Sequence, residues 1–166
     1  LNEIEEHTIK VQLRPDVIFS PLAMIINRIS IADSMQGICE FEAVRQIHEL
    51  LNKPGTISFG YNTLGFDDHI LRFSFHRNLL PPYTHQYKNG CYRMDFLPIT
   101  VRYRLYKKEI WDWPEIDGKP SWKLEHLRSA NQLSTGQAHD ALVDVKATVA
   151  LARKFFQEQK MWKYLC

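Results

Sequence analysis

The run Thr56-Ile57-Ser58-Phe59-Gly60-Tyr61 carries no charge, and a short turn later the chain bears two adjacent acids, Asp67-Asp68. An uncharged run of β-branched and aromatic residues predicts a strand, central in its sheet. Asp67 then falls where the carboxyl end of that strand turns into a helix. A second stretch, Gln137-Ala138-His139-Asp140-Ala141-Leu142-Val143-Asp144-Val145, opens another helix with a histidine and two acids. Carboxylates at a strand end and on a nearby helix can converge on one point. Like charges at short range need a cation between them. Hard oxygen donors of this kind suit magnesium or manganese. A phosphodiester-cleaving site needs such parts: metal ions to hold the phosphate and activate a water, and a histidine to take its proton.

A chain of 166 residues has enough core for one domain. Apolar residues make up 45% and charged residues 24%, which is ordinary for a globular protein, so neither a disordered nor a collagenous chain fits. A net charge of +2 does not match a duplex-wrapping protein, but an active site for a polyanion needs only local positive charge. Cys39, Cys91 and Cys166 are odd in number and far apart, which argues against a disulfide framework or a zinc site and for a reducing, cytoplasmic setting. No secretory signal and no membrane-spanning run is visible. The chain opens at Leu1 rather than Met, and Cys166 closely follows a helical pattern. The expectation is one domain over 1–166, truncated at its N-terminus and followed by more chain in a longer parent.

Along the chain, Thr8 to Leu13 alternates polar and apolar, predicting a strand with Ile9, Val11 and Leu13 toward the core. Residues 23–26 read as a buried strand or short helix, and 31–40 as a loop punctuated by Gly37. Phe41, Val44, Ile47 or His48, and Leu51 recur at helical spacing, so 40–52 is an amphipathic helix stopped by Lys53-Pro54-Gly55. Residues 67–80 form a helix with Ile70, Leu71, Ser74 and Phe75 to one side. Residues 83–92 form an aromatic loop, and a helix starts near Asp95. Ser121 is a candidate N-cap for 122–131. The last helix spans 140–159 with a stripe of Leu142, Val145, Val149, Ala152 and Phe156. Trp111, Trp113 and Trp122 are expected to pack around Pro114 and Pro120. Alternating strands and helices give an α/β class.

Each candidate has a plainer reading. Asp68 reads as a helix cap and Asp67 as a first-turn acid favoured by the helix dipole, though Asp67's distance from the strand end makes it a ligand candidate. A histidine before a helix is ordinarily a surface or capping residue. Asp144 borders Ala141, Val145, Thr148 and Leu151, and a carboxylate beside an apolar face is costly unless paired or metal-bound. His139 lies about a turn from it. Phe66, Arg72, Tyr83, Tyr87 and Tyr92 can stack on unpaired bases or touch phosphates, or simply bury against helices.

Taken together, Gly60-Tyr61-Asn62-x-x-x-Phe66-Asp67-Asp68, Leu124-Glu125-His126-Leu127 with Ala130-Asn131, and Ala138-His139-Asp140-Ala141-x-x-Asp144-Val145-x-Ala147-Thr148 closely resemble bacterial exonuclease I. Arg45-Gln46-Ile47-His48, Arg93-x-Asp95 and Trp113-Pro114 fit as well. That family belongs to the DEDDh group of 3′→5′ exonucleases. The resemblance implies an RNase H-like mixed sheet flanked by helices, and hydrolysis of single-stranded DNA from its 3′ end with two magnesium or manganese ions. It implies that Asp67 and Asp144 are metal ligands and that His139 is the general base. Asn62, Phe66, Arg72 and Tyr83 then contact the nucleic acid. The implied partners are single-stranded DNA and a single-stranded-DNA-binding protein, in the context of DNA repair.

The family's first motif, an Asp-x-Glu on the first strand, has no counterpart here; Glu3-Ile4-Glu5 lies too close to the strand at Thr8 to supply it. The sheet is therefore expected to lack its first strand, and this chain alone is expected to be inactive. Two other readings stay open: a non-catalytic module that binds nucleic acid or protein on a nuclease fold, and an oligoribonuclease-like RNA exonuclease.

Overall fold

The computed structural model describes residues 5–133 and 141–165. It is mixed α/β and rich in helix, with small sheets. The described residues form two compact units, one of 5–58 with 64–94 and the other of 59–63 with 95–165.

The first unit begins with an extended segment. The alternating run at Thr8–Leu13 forms no strand; Val11 makes a single parallel bridge to Ile38 and stays 43% exposed. Its backbone groups are used singly. Gln12 N–H donates to Ile38 O at 2.8 Å, Lys10 O accepts from Ile38 N–H at 3.0 Å, and Leu13 N–H donates to Ser34 Oγ at 2.9 Å. Gly37 permits this approach, because a Cβ there would lie 2.7 Å from Lys10 O. Helix α1 (Pro21–Asn27) is capped by Ser20 and has proline at its start. Its Ile25 and Ile26 are exposed, against the expected burial, and so is Leu22. The expected loop at 31–40 contains helix α2 (Ile31–Met35). Ser30 and Asp33 form a capping box, with Asp33 N–H donating to Ser30 Oγ at 3.0 Å and Ser30 N–H to Asp33 Oδ2 at 3.2 Å.

Helix α3 (Glu40–Leu51) follows the periodicity and packs on α4 (Asp67–Arg77). Ala43, Val44 and Phe75 are buried. Glu40 ties the two helices polar side to polar side, accepting from Arg77 Nε at 2.7 Å and Asn78 Nδ2 at 2.9 Å. Strands β1 (Ile57–Gly60) and β2 (Tyr92–Asp95) form a two-stranded sheet. Ile57 is 54% exposed, so β1 is not the fully buried central strand its lack of charge suggests. The chain leaves this unit within β1 and again after Met94.

The second unit is held by α5 (Phe96–Tyr106), α6 (Leu124–Asn131) and α7 (Ala141–Gln157), with α8 (Gln159–Leu165) beyond. Helix α5 starts near Asp95 as expected, and Asp95 caps it, accepting from Leu97 N–H at 2.9 Å. Phe155 is the hub of the core. Tyr103 stacks on it with ring centroids 4.1 Å apart and donates its hydroxyl to the Phe155 carbonyl at 2.8 Å. Phe96 and Trp111 also face it. Trp111 thus packs into this core, and the buried residues of α7 are Ala147, Thr148, Leu151, Ala152 and Phe155. Val145 and Phe156, expected inside, are 58% and 44% exposed. Strands β3 (Glu115–Ile116) and β4 (Lys119–Pro120) make an antiparallel hairpin. Asp117 and Gly118 turn it with φ of 51° and 70°, the positive pair that a type I′ turn demands. Lys123, not Ser121, is the N-cap of α6; Ser121 Oγ instead bonds His126 Nδ1 at 2.6 Å.

Candidate active site

The end of β1 is built for a tight turn. Gly60 has no room for a side chain, since a Cβ would meet Thr63 Cγ2 at 2.5 Å. Two residues on, Asn62 adopts φ 60°, a left-handed conformation that asparagine tolerates better than most residues. Its N–H donates to Asp95 Oδ1 at 2.9 Å, the same oxygen that caps α5. One buried carboxylate therefore fixes both the turn and the helix start, leaving the Asn62 side chain exposed. Tyr61 donates its hydroxyl to Trp122 O at 2.5 Å. Burial pushes the Tyr61 hydroxyl well above its usual pKa, and the Asp95 charge adds to this against a hydrogen bond with Thr100.

Helix α4 carries the candidates of the first unit. Phe66 is its N-cap without a side-chain cap bond, and its carbonyl accepts from His69 and Ile70 N–H at 3.1 and 3.2 Å. Asp67 is exposed in the first turn, where the helix dipole favours a negative charge. Asp68, expected to be the cap, is instead 8% exposed and ion-paired with Arg93 of β2. Arg72 and Tyr83, both singled out in the sequence, are brought together. The Arg72 guanidinium lies 5.6 Å from the centre of the Tyr83 ring, within cation–π range. Arg72 also donates to Asp68 O at 3.3 Å and lies 2.5 Å from His69 Nδ1. Because a guanidinium only donates, His69 Nδ1 is the acceptor in that contact. Phe66 is 63% and Tyr83 48% exposed, so both rings offer a free face.

In the second unit, Asp144 sits half-buried in the first turn of α7, and its carbonyl accepts from Thr148 Oγ1 at 2.9 Å. His139 lies outside the described residues, as does Asp140. Asp67 and Asp144 belong to different units. Among the described residues, no three His, Cys, Asp or Glu side chains gather into a group that could hold a metal ion. Asp68 does not suit a cation, because Arg93 already neutralises it. Asp67 and Asp144 have the oxygen chemistry a hard divalent cation takes. The Asp68–Arg93 pair was not foreseen; its partners are 25 residues apart, and no local pattern signals it. Among the described residues no helix is long and apolar enough to cross a membrane.

No family model matches the chain. The exodeoxyribonuclease I of Haemophilus influenzae is 34% identical over 152 residues, which make up 90% of this chain and 32% of that protein. The Escherichia coli exodeoxyribonuclease I is 35% identical over 153 residues, with the same coverage of 90% and 32%. The chain thus spans about a third of the length of these curated relatives. Among solved structures, E. coli exonuclease I in complex with a dA16 oligonucleotide matches with a TM-score of 0.90 at 33% identity, over 99% of this chain and 36% of that one. The zinc-bound form of an E. coli exonuclease I–single-stranded DNA complex gives 0.91 at 32%, over 99% and 36%. An exonuclease I/SSB-Ct complex gives 0.89 at 31%, again over 99% and 36%. Sequence and fold together make this chain a homologue of bacterial exodeoxyribonuclease I, matched to a nuclease-fold portion of that enzyme.

Proposed function

We propose that the chain is the exonuclease domain of an enzyme that removes nucleotides from the 3′ end of single-stranded DNA by magnesium-dependent hydrolysis. The observation that carries this reading is the homology, in sequence and in fold, over at least nine-tenths of the chain. The Arg72–Tyr83 pair agrees with it, since an aromatic face and a guanidinium are the groups that unpaired bases and phosphates need.

Each residue then has a role. Asp67 and Asp144 hold magnesium or manganese. When bound, such ions neutralise the phosphate and lower the pKa of the attacking water. His139 takes the proton of that water as general base. Asn62, Phe66, Arg72 and Tyr83 contact the single-stranded DNA, with Arg72 and Tyr83 lining its path. The acids of the family's first motif are not among these 166 residues, so turnover requires them from outside the chain. The exonuclease I/SSB-Ct complex supports a single-stranded-DNA-binding protein as a partner. The cytoplasm is the fitting compartment, and DNA repair the fitting process. A second reading, a binding module without catalysis, is favoured by that missing motif alone.

The test is hydrolysis of a 5′-labelled single-stranded DNA by this chain and by a longer one extended upstream, each with and without magnesium. A ladder that shortens from the 3′ end only with the extended chain and magnesium is expected. No cleavage by either, with DNA still bound, leaves the binding module as the answer.

A further inference from the structure

Resting on the reading of Arg72 and Tyr83 as a nucleic-acid platform, we infer that His85 is the positioning residue of that platform. Its buried neutral ring locks the turn around Tyr83 onto α4, and protonation of the ring releases it. Two contacts between α4 and the turn define the arrangement. On α4, Arg72 and Phe75 lie three residues apart and so face the same way on successive turns. On the turn, Tyr83 and His85 lie two residues apart. Arg72 meets Tyr83 at 5.6 Å, and Phe75 meets the His85 ring edge-on at 5.5 Å between centroids. The first contact is half-exposed and the second is sealed, with Phe75 at 0% and His85 at 1% exposure.

The turn is also tied to α3, where Thr84 Oγ1 lies 3.5 Å from His48 Nε2. It is a single 3-10 turn, Thr84–Gln86, closed by Gln86 N–H to Tyr83 O at 2.9 Å. His48 of α3 supports its approach, meeting Phe75 edge-on at 4.9 Å and bonding Pro81 O at 3.1 Å through Nε2. His85 Nδ1 is buried without a hydrogen-bond partner among the described residues. His85 Nε2 lies 3.4 Å from Gln86 Nε2, an amide donor, so Nε2 is the accepting nitrogen and Nδ1 carries the neutral ring's proton. A second proton, on Nε2, would set donor against donor there and bring a charge into the pocket, which is far more costly. The charged and titratable groups around it are Asp68 of α4, Arg93 of β2 and His48 of α3. Burial lowers the proton affinity of His85; Asp68 opposes this, and His48 and Arg93 reinforce it. Asp68 is itself held by Arg93, so it is poorly free to turn toward an imidazolium. The ring that takes up a proton must therefore leave its pocket and carry Tyr83 away from Arg72.

The experiment is fluorescence anisotropy with a labelled oligothymidylate and no metal, from about pH 8 to about pH 5.5, a range that spans histidine titration. For the unaltered protein, affinity is expected to fall roughly tenfold across the range, the worth of one base–aromatic stack. His85→Phe keeps a ring against Phe75 and cannot take a proton, so its affinity is expected to stay flat. Tyr83→Ala tests the underlying reading and is expected to bind roughly tenfold more weakly at about pH 8. If Tyr83→Ala binds normally, the platform itself is wrong. If it weakens but His85→Phe loses affinity on acidification as the unaltered protein does, the platform stands and the role of His85 is overturned. Should His85→Phe fail to fold, the unaltered protein decides by NMR. A shared midpoint for the His85 and Tyr83 ring resonances supports the inference, and Tyr83 resonances unmoved through the His85 midpoint overturn it.

Discussion

Arg93 of β2 holds the buried carboxylate of Asp68 on α4, whereas the residue just before it, Asp67, is exposed. Two adjacent acids of the same type therefore do different work. With side-chain exposures of 22% for Arg93 and 11% for Asp68, the pair is mostly shielded from water. Asp68→Asn removes the charge that Arg93 needs, and the expected cost is about 1.5–3 kcal/mol in urea unfolding. Asp67→Asn, at an exposed first-turn position, should cost less than about 1 kcal/mol. The order reverses for metal binding: Asp67→Asn should weaken magnesium binding to the extended chain far more, measured by calorimetry at matched folding.

Arg72 and Tyr83 make the next contrast. A lysine in place of Arg72 keeps the charge but loses the flat guanidinium that lies against the ring. Arg72→Lys is expected to weaken oligothymidylate binding several-fold while leaving its salt dependence nearly unchanged. Arg72→Ala should reduce the salt slope by about 0.7, the contribution of one phosphate contact on a single strand. Anisotropy titrations at several salt concentrations would separate the two. Equal slopes for Arg72→Ala and the unaltered protein would remove Arg72 from any phosphate.

Much of this was legible where one short-range rule acts alone. The spacing in Glu40–Leu51 is a helix whatever it packs on, and Asp95 caps α5 through its own side chain. Ser30 and Asp33 carry a capping-box signal, and Asp117-Gly118 carries a hairpin signal, so α2 and the β3–β4 turn were within reach of the sequence. The failures share a cause, which is that the deciding partner is distant in sequence. Alternation at Thr8–Leu13 says which side chains share a face, but a strand also needs a ladder, and Ile38 offers a single bridge. Each residue along a helix turns by about 100°, so reading Phe156 instead of Phe155 as the core position swings the stripe off Tyr103. In the site, the first-turn place of Asp67 was readable, whereas the capture of Asp68 by Arg93 was not.

The Phe155 hub sets the stability of the second unit. Its ring is fully buried against Tyr103, Phe96 and Trp111. Phe155→Ala is expected to cost about 3–5 kcal/mol, because the surrounding rings cannot all close the space. Tyr103→Phe keeps the stacked ring but loses the hydroxyl bond to the Phe155 carbonyl, and should cost about 1 kcal/mol. Chemical denaturation of both variants checks the ratio. A Phe155→Ala cost no larger than that of Tyr103→Phe would mean that Phe155 is not the hub.

Tyr61 gives the fold an alkaline limit. Its hydroxyl is buried and bonded to Trp122 O, and its pKa stands above the usual 10.0, chiefly through burial. The unfolded chain releases this proton at the ordinary value while the folded chain still holds it. The group's contribution is therefore fully present below pH 10.0 and is lost as pH rises from there toward the folded value. Tyr61→Phe removes the proton and the hydrogen bond together. It should cost about 1 kcal/mol near neutral pH and flatten the decline in stability above pH 10.0. Thermal melts of the unaltered protein and of Tyr61→Phe across the alkaline range would show the two curves approaching each other. Parallel curves would mean that Tyr61 ionises as readily in the folded chain as in the unfolded one, and that the turn after β1 is open to water.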